Sequence, residues 1–361
     1  MAAARNFVYV SNAADGDIAT FSLQPDGALK AGARAKAADV VGPLAVSPDR
    51  RFLYAAVRSK PYAVHVYAID PLSGALRPHS VSPLAESFPY IALDKSGRWL
   101  LGASYHANLV SLNAVGDDGH VASAPRQVIP VGRNAHSIRT DESNRYVYVP
   151  TLGSDQIFQF AFDASAGKLC SNTPAVVQLA PGAGPRHFVT SSDNRYLYML
   201  SELLATVTTF ALDAETGLLT EIGSASGLPP NTRLAPGTPR VAVGASSSAP
   251  PRNRDQDIWA ADIHMTPDGR FIYISERTSS SLSALGVNAQ SGELSYLGSV
   301  PTEAQPRGFA ISPDGKFIVA CGEKSETISV YAIDQASGAL SMPRQYPGGR
   351  GANWVEIVGF G

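Results

Sequence analysis

One short pattern, a basic or polar residue followed by aromatic and β-branched residues, occurs seven times in the 361-residue chain. The copies are NFVYV at Phe7, RFLYA at Phe52, RWLLG at Trp99, RYVYV at Tyr146, RYLYM at Tyr196, RFIYI at Phe271 and KFIVA at Phe317. Successive anchors lie 45, 47, 47, 50, 75 and 46 residues apart, so the period is steady except for one insertion. A period of roughly 20–50 residues belongs to chains built from supersecondary units, each of which buries its apolar face only against its neighbours.

Six copies follow a turn: SPDRR, DKSGR, DESNR, SSDNR, TPDGR and SPDGK. The fourth turn residue is Gly97, Gly269, Gly315, Asn144 or Asn194, types that tolerate a positive φ, with Arg50 as the exception. A second turn glycine follows every copy, at Gly27, Gly74, Gly119, Gly167, Gly217, Gly292 and Gly338, after alternating segments such as FQFAFD and ISVYAID. Each repeat thus supplies four short antiparallel strands: one before the first turn, the aromatic strand, the alternating strand and one after the glycine. That is a propeller blade.

The expected fold is an all-β, seven-bladed β-propeller forming a single domain over residues 1–361. The aromatic strand at Phe7 has no strand before it, and the C-terminal GANWVEIVGF reads as an inner strand with no aromatic strand after it. The two ends are therefore expected to share one blade and close the ring. The excess in the long period is an inserted loop, 225–257, rich in Pro, Gly and Ser. The Trp-Asp signature of WD40 scaffolds is absent from the repeats.

Composition narrows the function classes. A 44% hydrophobic, 17% charged chain is globular, and a net charge of −2 without a long basic run disfavours nucleic acid and membrane surfaces as partners. No apolar run approaches the roughly 20 residues that span a bilayer. The start, MAAARNFVYVSN, passes into a strand without an apolar leader, and Cys170 and Cys321 form no C-x-x-C. A cytoplasmic protein with a small-molecule partner is expected. G-x-S-x-G, H-E-x-x-H, Walker A and EF-hand patterns are missing, and neither cofactor nor metal is expected.

Antiparallel order puts the start of each inner strand, the end of each aromatic strand and the crossover between blades on one face. Ten residues before the anchors stand Gly42, Pro89, His136, Arg186, Ala261 and Arg307. Six residues after them stand Ala13, Arg58, Tyr105, Leu152, Glu202, Arg277 and Glu323. The channel rim thus gathers His136, Arg186, Glu202, Arg277, Arg307 and Glu323. Arginines outnumber carboxylates there, which points to a missing anion, and guanidinium forks recognise carboxylate or phosphate.

His136 shares the register of Arg186 and Arg307 and is the candidate for proton transfer. His187 and His264, one and three positions deeper in their strands, are candidates for a supporting, substrate-binding or packing role. The insertion crosses the polar face, as a surface excursion or as a cover adding Arg233, Arg240, Arg252 or Arg254.

The segments GPRHFVTSSDNRYLYMLSELLATVTTF, ADIHMTPDGRFIYISERTSSSLSAL and QPRGFAISPDGKFIVACGEKSETISVYAID resemble the seven-bladed lactonase family of 6-phosphogluconolactonases and related carboxy-cis,cis-muconate cyclases. The resemblance covers essentially the whole chain. It is most specific at GPRHF with a Glu sixteen residues beyond its Arg, and at ADIH with an Arg just past the next strand. Likeness to the cyclase branch implies an active site of one His, two Arg and one Glu, at His136, Arg186, Arg277 and Glu202.

Departures occur as well. The Pro-His-x-His pattern of many phosphogluconolactonase-like members is Asn134-Ala135-His136 here, and their Asp-Leu-Gly is Thr151-Leu152-Gly153. The usual Asn-Glu and Asn-Arg strand ends are Ser201-Glu202 and Glu276-Arg277.

The first expected function is a metal-free lactonase acting on an anionic sugar-acid lactone. Arg186 and Arg277, joined by Arg307, would hold the anion and the developing oxyanion, while Glu202 or His136 activates water. The alternative is a cycloisomerase, in which the same arginines hold a polycarboxylate and an internal carboxylate attacks in place of water. A third reading is a non-catalytic propeller that binds partners on a broad face, which the arginine cluster disfavours.

Overall fold

Each repeat folds into one four-stranded antiparallel sheet, and seven such sheets stand in a ring in the computed structural model, which describes residues 5–240 and 253–361. Numbering blades by their aromatic strands, blade 5 runs outward through Pro185–Thr190, Tyr196–Ser201, Thr206–Leu212 and Leu219–Ser226. Blade 6 runs through Ala260–Met265, Phe271–Glu276, Ser281–Val287 and Leu294–Pro301. The first strands of neighbouring blades pack against each other around the axis from blade 5 through blades 6, 7, 1 and 2 to blade 3. Apolar, β-branched and aromatic strands such as FIYISE are buried along their whole length, whereas the outer LSYLGSVP alternates between exposed and half-buried, as an edge strand facing water should.

Blade 1 is built from both ends of the chain. Ala352–Phe360 lies inside Arg5–Asn12 in antiparallel register, from Arg5 opposite Phe360 to Asn12 opposite Ala352. The expected closure is therefore present. Among the described residues the one helical element is a 3-10 turn at Leu152–Ser154, and no helix is long and apolar enough to cross a membrane.

The core is divided among seven apolar clusters, six of them spanning two neighbouring blades and one reaching from blades 1 and 2 to Tyr90 of blade 3. Tyr146 and Tyr148 of blade 4, for example, pack with Phe188, Leu197, Met199 and Phe210 of blade 5. The two sequence signals meet at these interfaces. Each anchor aromatic lies over the turn glycine of the next blade: Phe7 on Gly74, Phe52 on Gly119, Trp99 on Gly167, Tyr146 on Gly217, Tyr196 on Gly292, Phe271 on Gly338 and, closing the ring, Phe317 on Gly27. Two residues past four of the anchors, the hydroxyls of Tyr9, Tyr54, Tyr148 and Tyr273 donate to the carbonyls of those same glycines at 2.9, 3.1, 2.8 and 2.7 Å.

This arrangement gives a paired test. Gly217 and Gly269 have nearly the same φ, +70° and +73°, but a Cβ at Gly217 would overlap the Tyr146 ring, while nothing lies within 4 Å of one at Gly269. Gly269→Ala is expected to cost about 1–2 kcal/mol from the left-handed backbone alone. Gly217→Ala adds an overpacking cost of about 1–3 kcal/mol, so its urea midpoint should fall clearly below that of Gly269→Ala. Equal midpoints would deny the glycine–aromatic contact its role.

Two local expectations change. Arg50 takes the same left-handed turn as the glycines and asparagines, at φ +61°, and its Nη1 donates to Gly359 O at 2.6 Å, tying the turn to blade 1. The inner strand of blade 4 was expected to open at His136, yet only Arg139–Thr140 pairs as strand. The cause is Pro150 on the neighbouring strand: its carbonyl accepts from His136 N at 3.1 Å, but without an N–H it returns no bond. The insertion spans 227–259, two residues later than expected, because one strand continues to Ser226 and the next begins at Ala260.

Candidate active site

Arg186 is placed by a β-bulge. At the start of the inner strand the register slips in five blades, leaving unpaired Asn353 in blade 1, Gly42 and Pro43 in blade 2, Arg186 in blade 5, Ala261 and Asp262 in blade 6 and Arg307 in blade 7. A bulge bends the strand and re-aims its side chains. In blades 2, 5, 6 and 7 the position ten residues before the anchor, at Gly42, Arg186, Ala261 and Arg307, is a slipped one. Facing it, the first residue past the aromatic strand is held by a repeated backbone bond to the crossover: Arg58 N to Val40 O at 3.1 Å, Glu202 N to Gly184 O at 2.8 Å, Arg277 N to Trp259 O at 3.1 Å and Glu323 N to Gln305 O at 3.0 Å.

These two positions bring together Arg186, Glu202 and Arg277. Arg186 Nε and Arg277 Nη2 both donate to Glu202 Oε2 at 2.8 Å, with side-chain exposures of 1%, 2% and 4% for Arg186, Arg277 and Glu202. Arg186 Nη1 also donates to Ala261 O, Arg277 Nε to Trp259 O at 3.0 Å and Arg277 Nη2 to Ala260 O at 2.8 Å. The Arg277 guanidinium lies 3.8 Å over the Trp259 ring, which Arg240 approaches at 4.1 Å. Among the described residues Arg186 Nη2 and Arg277 Nη1 make no hydrogen bond.

Burial, with repulsion from Arg277, pulls the Arg186 pKa down to about 9, and burial lowers that of Arg277. Arg307 and Glu323 pair more loosely, at 3.5 Å, in a half-buried position. Burial opposes ionisation of Glu323, but Arg307 and Arg277 outweigh it and lower its pKa.

His136 is buried, and its Nδ1 has no hydrogen-bond partner among the described residues. Its ring meets Tyr105 at 5.6 Å and His187 at 5.1 Å, both edge to face. Burial, reinforced by the charge of Arg186, holds its pKa well below the usual 6.5. At neutral pH it is an uncharged imidazole able to accept a proton.

His187 and His264 are joined by a residue that counting missed. Asp262 Oδ1 lies 2.9 Å from His187 Nδ1, and its Oδ2 lies 3.1 Å from His264 Nε2. The signal was present in ADIH: in a strand, residues two apart share a face, which sets Asp262 beside His264. Burial works against the charge of Asp262, but His264 and the hydrogen bond from His187 overcome it and keep the carboxylate ionised. Asn353 was also missed, because its blade takes its inner strand from the far end of the chain.

The His187 pKa is lowered to about 3, first by burial and then by Arg186, against the pull of Asp262. Stability should therefore depend on pH in a defined sense. Between about pH 6.5 and 3 the unfolded chain binds a proton at this position that the folded chain does not, so acid destabilises the fold by roughly 1.4 kcal/mol per pH unit for each such histidine. Urea midpoints measured from pH 7 to 4.5 should fall with pH, and His187→Gln should reduce that slope by about one proton. An unchanged slope in His187→Gln would show that the imidazole titrates normally.

The first arm of the insertion lies over the same face. Gly237 N donates to Leu203 O at 2.9 Å in blade 5, and the Tyr105 hydroxyl of blade 3 donates to Arg240 O at 2.8 Å. Arg233 is exposed and Arg254 half-buried, while Arg252, part of the expected cover, lies outside the described residues.

Fold and site together define a seven-bladed propeller with a buried cluster of two arginines and one glutamate at one mouth of its channel. The chain belongs to the family described as Lactonase, 7-bladed beta-propeller, which it matches over residues 7–357. It is 37% identical over 354 residues to a protein of Serratia proteamaculans named 6-phosphogluconolactonase, covering 98% of this chain and 99% of that one. A Xenorhabdus nematophila protein of the same name is 32% identical over 354 residues, with coverage of 98% and 99%. The solved periplasmic gluconolactonase of Pseudomonas aeruginosa shares the fold, with a TM-score of 0.84, 24% identity and 99% of each chain covered.

Proposed function

We propose that this propeller hydrolyses an anionic sugar-acid lactone without a metal, at His136, Arg186, Glu202 and Arg277. The observation that carries this reading is an uncharged, unpartnered imidazole, His136, set beside two buried guanidinium groups, each of which keeps one terminal nitrogen free among the described residues. The relatives named 6-phosphogluconolactonase support the substrate class.

In this reading water attacks the lactone carbonyl carbon and gives a proton to the His136 imidazole. Arg186 Nη2 and Arg277 Nη1 stabilise the oxyanion of the tetrahedral intermediate. The bond from the carbonyl carbon to the ring oxygen then breaks, and the leaving oxygen takes the proton back from His136, yielding the open hydroxy acid. Glu202 is committed to its two arginines and serves as their anchor. Arg307, Glu323 and the His187–Asp262–His264 trio bound the substrate and position the catalytic groups. A resting neutral imidazole suits this sequence better than cycloisomerisation, in which a proton has to be delivered to carbon after the internal carboxylate attacks.

Residues 1–361 then act as one domain, since blade 1 needs both ends of the chain, with the described arm 227–240 of the insertion on the substrate face. The cytoplasm is the compartment that fits, because Cys170 is an exposed free thiol. The decisive assay sets purified protein against sugar lactones, phosphorylated sugar lactones and carboxymuconates. Turnover of a sugar lactone is the expected result. Background rates on every lactone, or turnover of carboxymuconate alone, would end this reading.

A further inference from the structure

A cation-lined cavity adjoins the site on the same face. It encloses about 620 Å³ between blades 2 and 3 and is lined by Arg58, Lys60, Tyr62, Glu86, Ser87 and Tyr105, among others. Arg58 stands at the first position past its aromatic strand, the position that Glu202, Arg277 and Glu323 occupy in their blades. Its stem lies flat across the start of the inner strand of blade 2, because Gly42 has no side chain: a Cβ there would be 3.1 Å from Arg58 Cδ.

The guanidinium is poorly matched by protein. Among the described residues its side-chain hydrogen bond is Nε to Ser87 Oγ at 3.4 Å, and no carboxylate pairs with it. Burial, followed by repulsion from Arg307, lowers its pKa to about 10, which marks a charge that its surroundings leave under-compensated. Lys60 adds a second cation, its Nζ 5.9 Å from the centre of the Tyr62 ring. Glu86, half-buried, is the carboxylate of this cavity.

The cavity lies beside the catalytic cluster, with Tyr105 in the wall between them. Tyr105 lines it and also meets the ring of His136 at 5.6 Å, and Arg58 feels the charges of both Arg307 and Glu323. Its volume falls within the roughly 300–1,000 Å³ of sites that enclose small molecules, which leaves room for a substrate tail beyond a ring placed at His136.

The geometry points to Arg58, with Lys60, as a second anion subsite that takes a phosphate monoester at the far end of the lactone substrate. This inference rests on the lactonase reading for its catalytic half. A guanidinium fork with free terminal nitrogens in a half-buried wall suits the oxygens of a phosphate dianion. Two cations against one carboxylate favour a dianion over a neutral hydroxymethyl group.

The test compares 6-phosphogluconolactone with gluconolactone in wild type, Arg58→Gln and Lys60→Gln. A hydrogen bond to a charged group is worth about 1.5–3 kcal/mol, so Arg58→Gln should lower the ratio of kcat/KM for the phosphorylated over the plain lactone by roughly 10–150-fold. Lys60→Gln should lower the same ratio by less. An unchanged ratio in a folded Arg58→Gln protein would overturn the subsite.

If neither lactone is turned over by wild type, the lactonase reading fails separately, and calorimetric titration with 6-phosphogluconate and gluconate then decides the subsite. Tighter binding of the phosphorylated acid that is lost in Arg58→Gln upholds it. Equal binding of the two acids by wild type rejects it.

Discussion

Glu202→Ala is expected to abolish turnover and to cost about 3–5 kcal/mol of folding stability, the usual consequence of leaving one side of a buried ion pair uncompensated. Both guanidinium groups converge on one carboxylate oxygen at 2.8 Å, in a position almost closed to water. Removing that oxygen leaves two like charges buried side by side, each still held by backbone carbonyls. Glu202→Gln keeps the shape and one acceptor oxygen but not the charge, so it should fold while losing much of the stability.

Activity separates the two roles that Glu202 could have. As an anchor it acts through Arg186 and Arg277, so Glu202→Gln should lower kcat by about 10²–10³, the range seen when an oxyanion donor is lost. The pH profile should keep its wild-type form. Were Glu202 itself the base, its replacement would also remove the acid limb of the profile. A Glu202→Gln protein with wild-type urea midpoint and wild-type kcat would remove the residue from both roles.

How much of this was legible along the chain depends on whether the relevant spacing is local. The anchor aromatics and turn glycines repeat because every blade interface makes the same contact, Tyr146 on Gly217 or Trp99 on Gly167, and so the period exposes the fold directly. Arg186, Glu202, Arg277, Arg307 and Glu323 were found by fixed offsets because bulge and strand end recur in equivalent places. Asp262 reaches His187 across a separation of 75 residues, from one blade to the next, and no within-repeat count connects them.

The bulge also breaks the strict alternation of the inner strand. Arg186 slips out of the ladder, so the next residue, His187, does not simply turn away into blade packing but reaches Asp262. Asn353 escaped for a topological reason, and Arg58, which the same offset reaches, stood apart from the rim set because its blade shows no second charge at the companion position, Gly42. That absence of a side chain is what lets Arg58 lie across the strand.

His136→Gln should separate catalysis from folding in the opposite way to Glu202→Ala. The imidazole Nδ1 has no hydrogen-bond partner to lose among the described residues, and burial beside Arg186 already opposes its charged form. The urea midpoint at pH 7 should therefore stay near wild type. Loss of a positioned general base typically costs about 10²–10⁴ in rate, and kcat on a sugar lactone should fall by that amount.

The pH profile supplies the sharper reading. With its pKa held well below 6.5, His136 remains a free base through neutral pH, so wild-type kcat should be flat from neutral into mild acid and fall only as the pH drops through that lowered value. The residual activity of His136→Gln should lack this acid limb. An acid limb centred near pH 6.5 in wild type, or one that persists unchanged in His136→Gln, would assign the proton transfer to another group. The loss in His187→Gln should instead accompany weaker folding at neutral pH, since its imidazole is bonded to Asp262 at 2.9 Å and that bond is removed with it.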